Sequence, residues 1–115
     1  MSYKRGDVVL VLFPNSNLRT AKRRPALVVQ ADALNTGLPQ TVVAMISSNM
    51  SRAGIDCRIA VPLSSAQSRG TGLRTDSVIM TDNLATILFS EIDRAIGQFS
   101  DMTAVEAALR KTLGV

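Results

Sequence analysis

The stretch Lys22-Arg23-Arg24-Pro25-Ala26-Leu27-Val28-Val29 sets three consecutive cations against a proline and then a fully apolar run. The apolar run reads as a buried strand over Pro25–Gln30, with the proline at its first residue, where a missing ladder donor is tolerated. A fixed charge at the mouth of a buried strand is held on a rigid element. Such an element suits an anion, and phosphate above all. The same residues also read as a solvated basic turn ahead of a core strand.

Outward from this segment the chain alternates short apolar runs with polar loops. Asp7–Phe13, bounded by Gly6 and Pro14, reads as a strand, and Pro14–Lys22 as a loop long enough to be functional. Ala31–Asn35 reads as one helical turn before the breakers Gly37 and Pro39. Thr41–Ser47 is a β-branched third strand, Ser48–Gly54 a loop with Arg52, and Ile55–Val61 an alternating, half-buried fourth strand. Leu63–Arg74, rich in Ser and Gly, reads as a second long loop carrying Arg69 and Arg74. Asp76–Met80 is a fifth strand, and Ala85–Ile87 and Arg94–Phe99 are strand-like around a turn at Ser90–Asp93. Met102, Val105, Leu109 and Leu113 recur at helical spacing. Ser100 or Asp101 caps that helix, Gly114 stops it, and Arg110 and Lys111 suit the dipole at its end. Short strands, long loops and one terminal amphipathic helix predict a mostly-β (α+β) fold, a small β-barrel with a helix packed on it.

The 115 residues suggest one domain, 1–115, and 46% apolar content excludes a disordered chain. So high an apolar fraction in so short a chain leaves side chains to be covered, which a homodimer would do. No apolar run approaches the ~18–20 residues of a membrane span, so no membrane partner is expected. No signal-peptide core follows Lys4 and Arg5, and the single Cys57 cannot form an intramolecular bridge, so a reducing cytoplasm is the expected compartment. Cys57 lies in an apolar alternation and reads as a small core hydrophobe. Charge is uneven: residues 1–74 carry a net +7 and residues 75–115 a net −3. That asymmetry suggests a face that meets a polyanion.

The residue types restrict the chemistry. The chain has no His and one Cys, which excludes histidine acid–base pairs, Ser-His-Asp triads and histidine- or thiolate-ligated metal sites. It has no glycine-rich phosphate loop, so no metal or nucleotide cofactor is expected. Arg, Ser/Thr, Asp and backbone donors remain, and these suit phosphoryl chemistry. RNA brings its own nucleophile, the 2′-hydroxyl, so an enzyme without metal or histidine can cleave it by aiming that group and neutralising charge.

Gly6-Asp7-Val8-Val9-Leu10-Val11 followed by Arg24-Pro25-Ala26-Leu27-Val28-Val29 resembles the opening of the MazF/PemK toxins of bacterial toxin–antitoxin modules. Thr41–Ser48 is similar to that family's third strand, and Asp76–Asp82 to a later one. The resemblance implies an SH3-like barrel, a homodimer and metal-independent endoribonuclease activity on single-stranded RNA such as mRNA. It also implies inhibition by a cognate antitoxin whose acidic tail covers the RNA groove. Arg24 falls on the family's catalytic Arg, Ser47 on its catalytic Thr/Ser, and Asp82 on an acidic residue used as base in the PemK branch. Thr20, Lys22, Arg23, Arg52, Arg69 and Arg74 are expected to bind RNA, the cations by steering phosphates. Two positions depart from the pattern. Met80 stands where the PemK branch has an Arg, and Leu18-Arg19-Thr20 replaces the usual Ser/His-Glu-Gln stretch. The resemblance also leaves two other readings: a toxin of the same barrel that binds DNA gyrase without nuclease activity, and a degenerate RNA-binding module. With only Tyr3, Phe13, Phe89 and Phe99 as aromatics, base recognition is expected to rest on hydrogen bonds rather than stacking.

Overall fold

The computed structural model describes residues 2–14 and 21–115. Its strands are β1 (Asp7–Pro14), β2 (Ala21–Val28), β3 (Gln40–Ser47), β4 (Arg58–Val61), β5 (Ser77–Leu88) and β6 (Ile92–Gln98), followed by helix α1 (Met102–Leu113). The strands form one antiparallel sheet in the order β4-β5-β3-β2-β1-β6. The expected mostly-β class and terminal helix are observed. The sheet is not closed, however: among the described residues β4 and β6 are its two edges, with no ladder joining them.

Both faces of the sheet are buried, so the strands read as continuous apolar runs rather than alternations. On one face Val9, Val11, Ala26, Val28, Val43, Met45, Val78 and Met80 pack together. On the other, Val8, Leu27, Val29, Ala44, Ile46, Val61 and Ile79 meet Phe99 and Val105, with Met102 and Leu109 of α1 alongside. Adjacent residues such as Val8 and Val9, or Leu27 and Val28, thus serve opposite cores, as the two-residue period of a strand requires. Helix α1 starts where the Asp101 carboxylate accepts from the Ala104 N–H (3.3 Å) and ends at Gly114, whose φ of 71° is left-handed. Its apolar stripe covers the second face.

Several boundaries differ from those read in the sequence. Strand β2 begins at Ala21, so Lys22, Arg23 and Arg24 lie on the strand and Pro25 lies inside it. The cause is pairing with β1, which continues through Leu10↔Pro25 and Val11↔Arg24 to Pro14↔Ala21. The strand regions expected at 76–80 and 85–87 fall, from Ser77 on, in one strand, β5, whose register against β3 jumps from Ala44↔Leu84 to Met45↔Met80. Residues 81–83 stand without partners on β3 and form a bulge. The buried Thr81 hydroxyl in that bulge donates to the Cys57 carbonyl oxygen (2.6 Å). Strand β4 starts only at Arg58, because Ile55–Cys57 turns through a bond from the Arg58 N–H to the Ile55 carbonyl (3.0 Å). Ala31–Asn35 is not helical; it holds a single turn closed by the Leu34 N–H on the Ala31 carbonyl (3.1 Å). Strand β6 begins at Ile92, two residues before the expected start.

The long segment 63–74 packs closely against the sheet. Its Gly70–Gly72 part lies directly on β6, where the Gln98 N–H donates to the Gly70 carbonyl (2.8 Å). A Cβ at Gly97 would overlap the Gly70 carbonyl oxygen and approach the Thr71 carbonyl carbon to 2.5 Å. Backbone on both sides makes this contact unable to relax cheaply. Gly97→Ala is therefore expected to destabilise the protein by about 1–3 kcal/mol, as overpacking of a close-packed contact does. A urea denaturation curve of the variant beside the wild type checks this.

Candidate functional site

Strands β2 and β3 pair only through Val28↔Val43, Leu27↔Ala44 and Ala26↔Met45. The reason for the stop is Pro25. The Val29 N–H donates to the Val42 carbonyl (3.0 Å), so backbone groups two and four residues earlier, at Leu27 and Pro25, face the same edge. The next double-bonded rung would join Pro25 to Ile46, and proline has no N–H to give. The sheet parts there, and a groove of about 1200 Å³ opens beside the split.

The groove collects side chains from distant parts of the chain. Strand β2 gives Lys22, Arg23, Arg24 and Pro25; the end of β3 gives Met45, Ile46 and Ser47, followed by Ser48. Arg52 enters from the 3₁₀ turn Met50–Arg52, Arg74 from the packed loop, Asn83 from the β5 bulge and Arg94 from β6. Continuing the β2–β3 register two residues past Ala26↔Met45 sets Arg24 across from Ser47. By the two-residue period both lie on the face of Ala26 and Met45. The Ser47 hydroxyl oxygen accepts from the Asn49 N–H (3.1 Å), which leaves its own O–H free to donate into the groove.

The electrostatics are one-sided. Six Lys and Arg line the groove and no Asp or Glu does. Arg23 and Arg94 share the Asp93 carboxylate at 3.0 and 2.9 Å. Lys22, Arg24, Arg52 and Arg74 have no carboxylate partner among the described residues. The floor between them is aliphatic and sulfur-bearing, from Leu10, Pro25, Met45, Ile46 and Met80. Among the described residues no group of three His, Cys, Asp or Glu is placed to hold a metal ion.

Of the residues singled out in the sequence, Arg24 and Ser47 are thus brought together, with Lys22, Arg23, Arg52 and Arg74 around them. Thr20 lies outside the described residues, as does most of the loop expected over Pro14–Lys22. Arg69 does not line the groove; two left-handed glycines, Gly70 and Gly72, redirect the chain between it and Arg74. Asp82 does not line the groove either. Arg58 grips it from β4 through Nε (3.1 Å) and Nη2 (2.9 Å). Arg94 and Asn83 were not singled out. Arg94 belongs to the acidic C-terminal portion, where local charge gives no signal, and Asn83 projects only because of the bulge.

A small sheet protein with a cation-lined groove and no acid in the lining has the charge pattern that suits a polyanion. Comparison with known proteins makes this specific. Residues 4–113 match the family described as PemK-like, MazF-like toxin of type II toxin–antitoxin system, and the chain belongs to that family. A Mycobacterium bovis protein named endoribonuclease MazF2 is 32% identical over 105 residues, spanning 89% of this chain and 88% of its own. Endoribonuclease EndoA of Bacillus subtilis is 29% identical across 100% of this chain and 97% of its own. The fold matches, with a TM-score of 0.73 and 22% identity, a solved endoribonuclease in complex with its cognate antitoxin from Mycobacterial species; the match covers 99% of this chain and 97% of that one. Among the described residues no helix is long and apolar enough to cross a membrane.

The hydrogen bonds from Arg58, with its charge adding to them, hold the Asp82 carboxyl below the usual carboxylate range. A carboxyl depressed in the folded state stabilises the protein fully above its unfolded pKa of about 4, and that contribution fades as pH falls through the lower folded value. The stability gap between wild type and Asp82→Asn should therefore be flat from about pH 5 to 7 and shrink below about pH 4. Denaturation curves at several pH values test this; a gap that widens in acid would contradict the ion pair.

Proposed function

We propose that this toxin is a metal-independent endoribonuclease acting on single-stranded RNA in the cytoplasm. The observation that carries the reading is the placement of Arg24 across from Ser47 in a groove whose cations outnumber their carboxylates. The names of its relatives point the same way.

The reaction needs three things from the chain. The first is capture of the phosphate backbone, which Lys22, Arg52, Arg74 and Arg94 provide with Arg23. The second is alignment of the substrate 2′-hydroxyl with the neighbouring phosphorus and the departing 5′-oxygen, a matter of positioning on rigid strands. The third is neutralisation of charge on the phosphorane. Arg24 supplies a planar fork of donors for its oxygens, and the Ser47 hydroxyl adds a neutral donor. The 2′-oxygen forms a bond to phosphorus as the bond to the 5′-oxygen breaks. The 2′-hydroxyl gives its proton to solvent water and the departing 5′-oxygen takes one from solvent water, leaving a 2′,3′-cyclic phosphate and a 5′-hydroxyl with no net change in protons. The resemblance implied Asp82 as general base; in the reading proposed here its carboxylate is instead paired with Arg58, outside the groove lining, and is assigned no step.

The same groove fits an acidic, unstructured segment of a cognate antitoxin, since carboxylates compete for the same forks as phosphates. A second copy of the chain is proposed to cover apolar surface left exposed, including Leu34, Leu38 and Leu88.

Cleavage is expected to persist in EDTA and to stop when the scissile nucleotide carries 2′-deoxyribose; equal cutting of the deoxy substrate would overturn this mechanism. An RNA pool left intact, with gyrase trapped on DNA instead, would favour the gyrase-binding reading. Arg24→Lys is expected to lower kcat by about 10²–10³ because a point charge replaces the fork. Arg23→Lys, whose arginine is tied to Asp93, should be nearly silent. Single-turnover kinetics of the two variants compare them directly, and equal losses would reduce the site to a general basic patch.

A further inference from the structure

The guanidinium of Arg58 has all three nitrogens engaged, and Arg58 does not line the groove. Nε and Nη2 hold the two oxygens of Asp82, and Nη1 donates to the Arg52 carbonyl oxygen (3.0 Å). Asp82 belongs to the β5 bulge, whose next residue, Asn83, lines the groove. Arg52 is the last residue of the 3₁₀ turn Met50–Arg52, and it too lines the groove.

That turn is tied at its start as well. The Asn49 side-chain oxygen accepts from the Ser51 N–H (3.1 Å) and the Ser51 hydroxyl (2.6 Å), and the Asn49 N–H donates to Ser47. A continuous run of hydrogen bonds therefore connects the Ser47 hydroxyl, the turn that carries Arg52, Arg58 and the bulge. Within the turn only two backbone bonds close the chain: Arg52 N–H to Asn49 (3.1 Å) and Ala53 N–H to Met50 (3.1 Å). So short a helix does not hold its geometry alone.

Resting on the ribonuclease reading, we propose that Arg58 and Asp82 are positioning residues: the pair braces the Met50–Arg52 turn against the β5 bulge and so fixes Arg52 at the distance from Ser47 that a bound RNA phosphate requires. A partly exposed ion pair adds little to global stability. A two-pronged fork fixes geometry much more strongly than a point charge does. Long, mobile cations gain affinity when their base is held still, because less freedom is lost on binding. The brace acts on capture of RNA through KM and leaves the chemical step at Arg24 in place.

The test is a double-mutant cycle read by fluorescence anisotropy, with an oligonucleotide carrying 2′-deoxyribose at the cut position so that binding is seen without cleavage. Arg52→Ala should weaken binding roughly threefold to tenfold and lower the salt slope by about one unit. Arg58→Met should weaken it by a similar factor in the wild-type background and add almost nothing once Arg52 is gone. Amide exchange at Arg52 and Ala53 should quicken in Arg58→Met, a readout that needs no RNA. Arg58→Lys, which keeps a cation beside Asp82 and is expected to fold, should fall between the two. KM should rise with kcat unchanged. Additive losses, unchanged exchange at Arg52 and Ala53, or a fall in kcat alone would each overturn the brace. Wild-type protein that binds no oligonucleotide, yet shows quicker exchange in Arg58→Met, would remove the ribonuclease reading while leaving the mechanical tie between Arg58 and the turn.

Discussion

The missing N–H of Pro25 is the constraint on which the rest of this structure depends. It falls on the edge of β2 that faces β3, at the rung where Pro25 would meet Ile46. Pairing with β1 continues beyond that point to Ala21, so β2 stays a strand while losing one neighbour. In an unbroken sheet Arg24 and Ser47 would be cross-strand neighbours with Cβ atoms about 5 Å apart. Their polar ends would be spent on each other and on the sheet surface. With the sheet parted, the two still share a register and a face, and both line the groove.

A groove lined by six cations is costly to assemble, because like charges repel and four of them lack a carboxylate partner among the described residues. Two features offset the cost. The sheet is buried on both faces, which gives a chain of 115 residues two apolar clusters to fix the strands that carry the charges. The nearby carboxylates stay out of the groove lining: Asp93 pairs with Arg23 and Arg94, and Asp82 pairs with Arg58. Lys22, Arg24, Arg52 and Arg74 are the groove cations left without a carboxylate among the described residues.

Membership of the toxin family fixes the architecture, and the match in fold at 22% identity indicates how little of the sequence that architecture demands. Apolar residues on both faces of five or six strands are enough, since many aliphatic side chains serve equally well at such positions. Where the resemblance implied an arginine this chain has Met80, and the cation that meets Asp82 comes instead from β4, where Arg58 is the register partner of Met80.

The sequence by itself determined what could be read from local period and residue type. The apolar runs at β1 and β3, the capped helix between Asp101 and Gly114, and the restriction to arginine, hydroxyl and carboxylate chemistry all follow from side chains acting within a few residues of one another. So does the pairing of a proline with three cations that marks the groove. Tertiary structure alone decided where β2 begins, because hydrogen bonding to β1 recruits Lys22, Arg23 and Arg24 into the strand against their charged character. It also decided that residues 77–88 form one bulged strand and that Arg94 joins the groove while Arg69 does not. Asp82 is held by a partner 24 residues away. Each of these depends on register between distant strands, and register is set by which edge bonds remain to be made, a property that no local window of sequence contains.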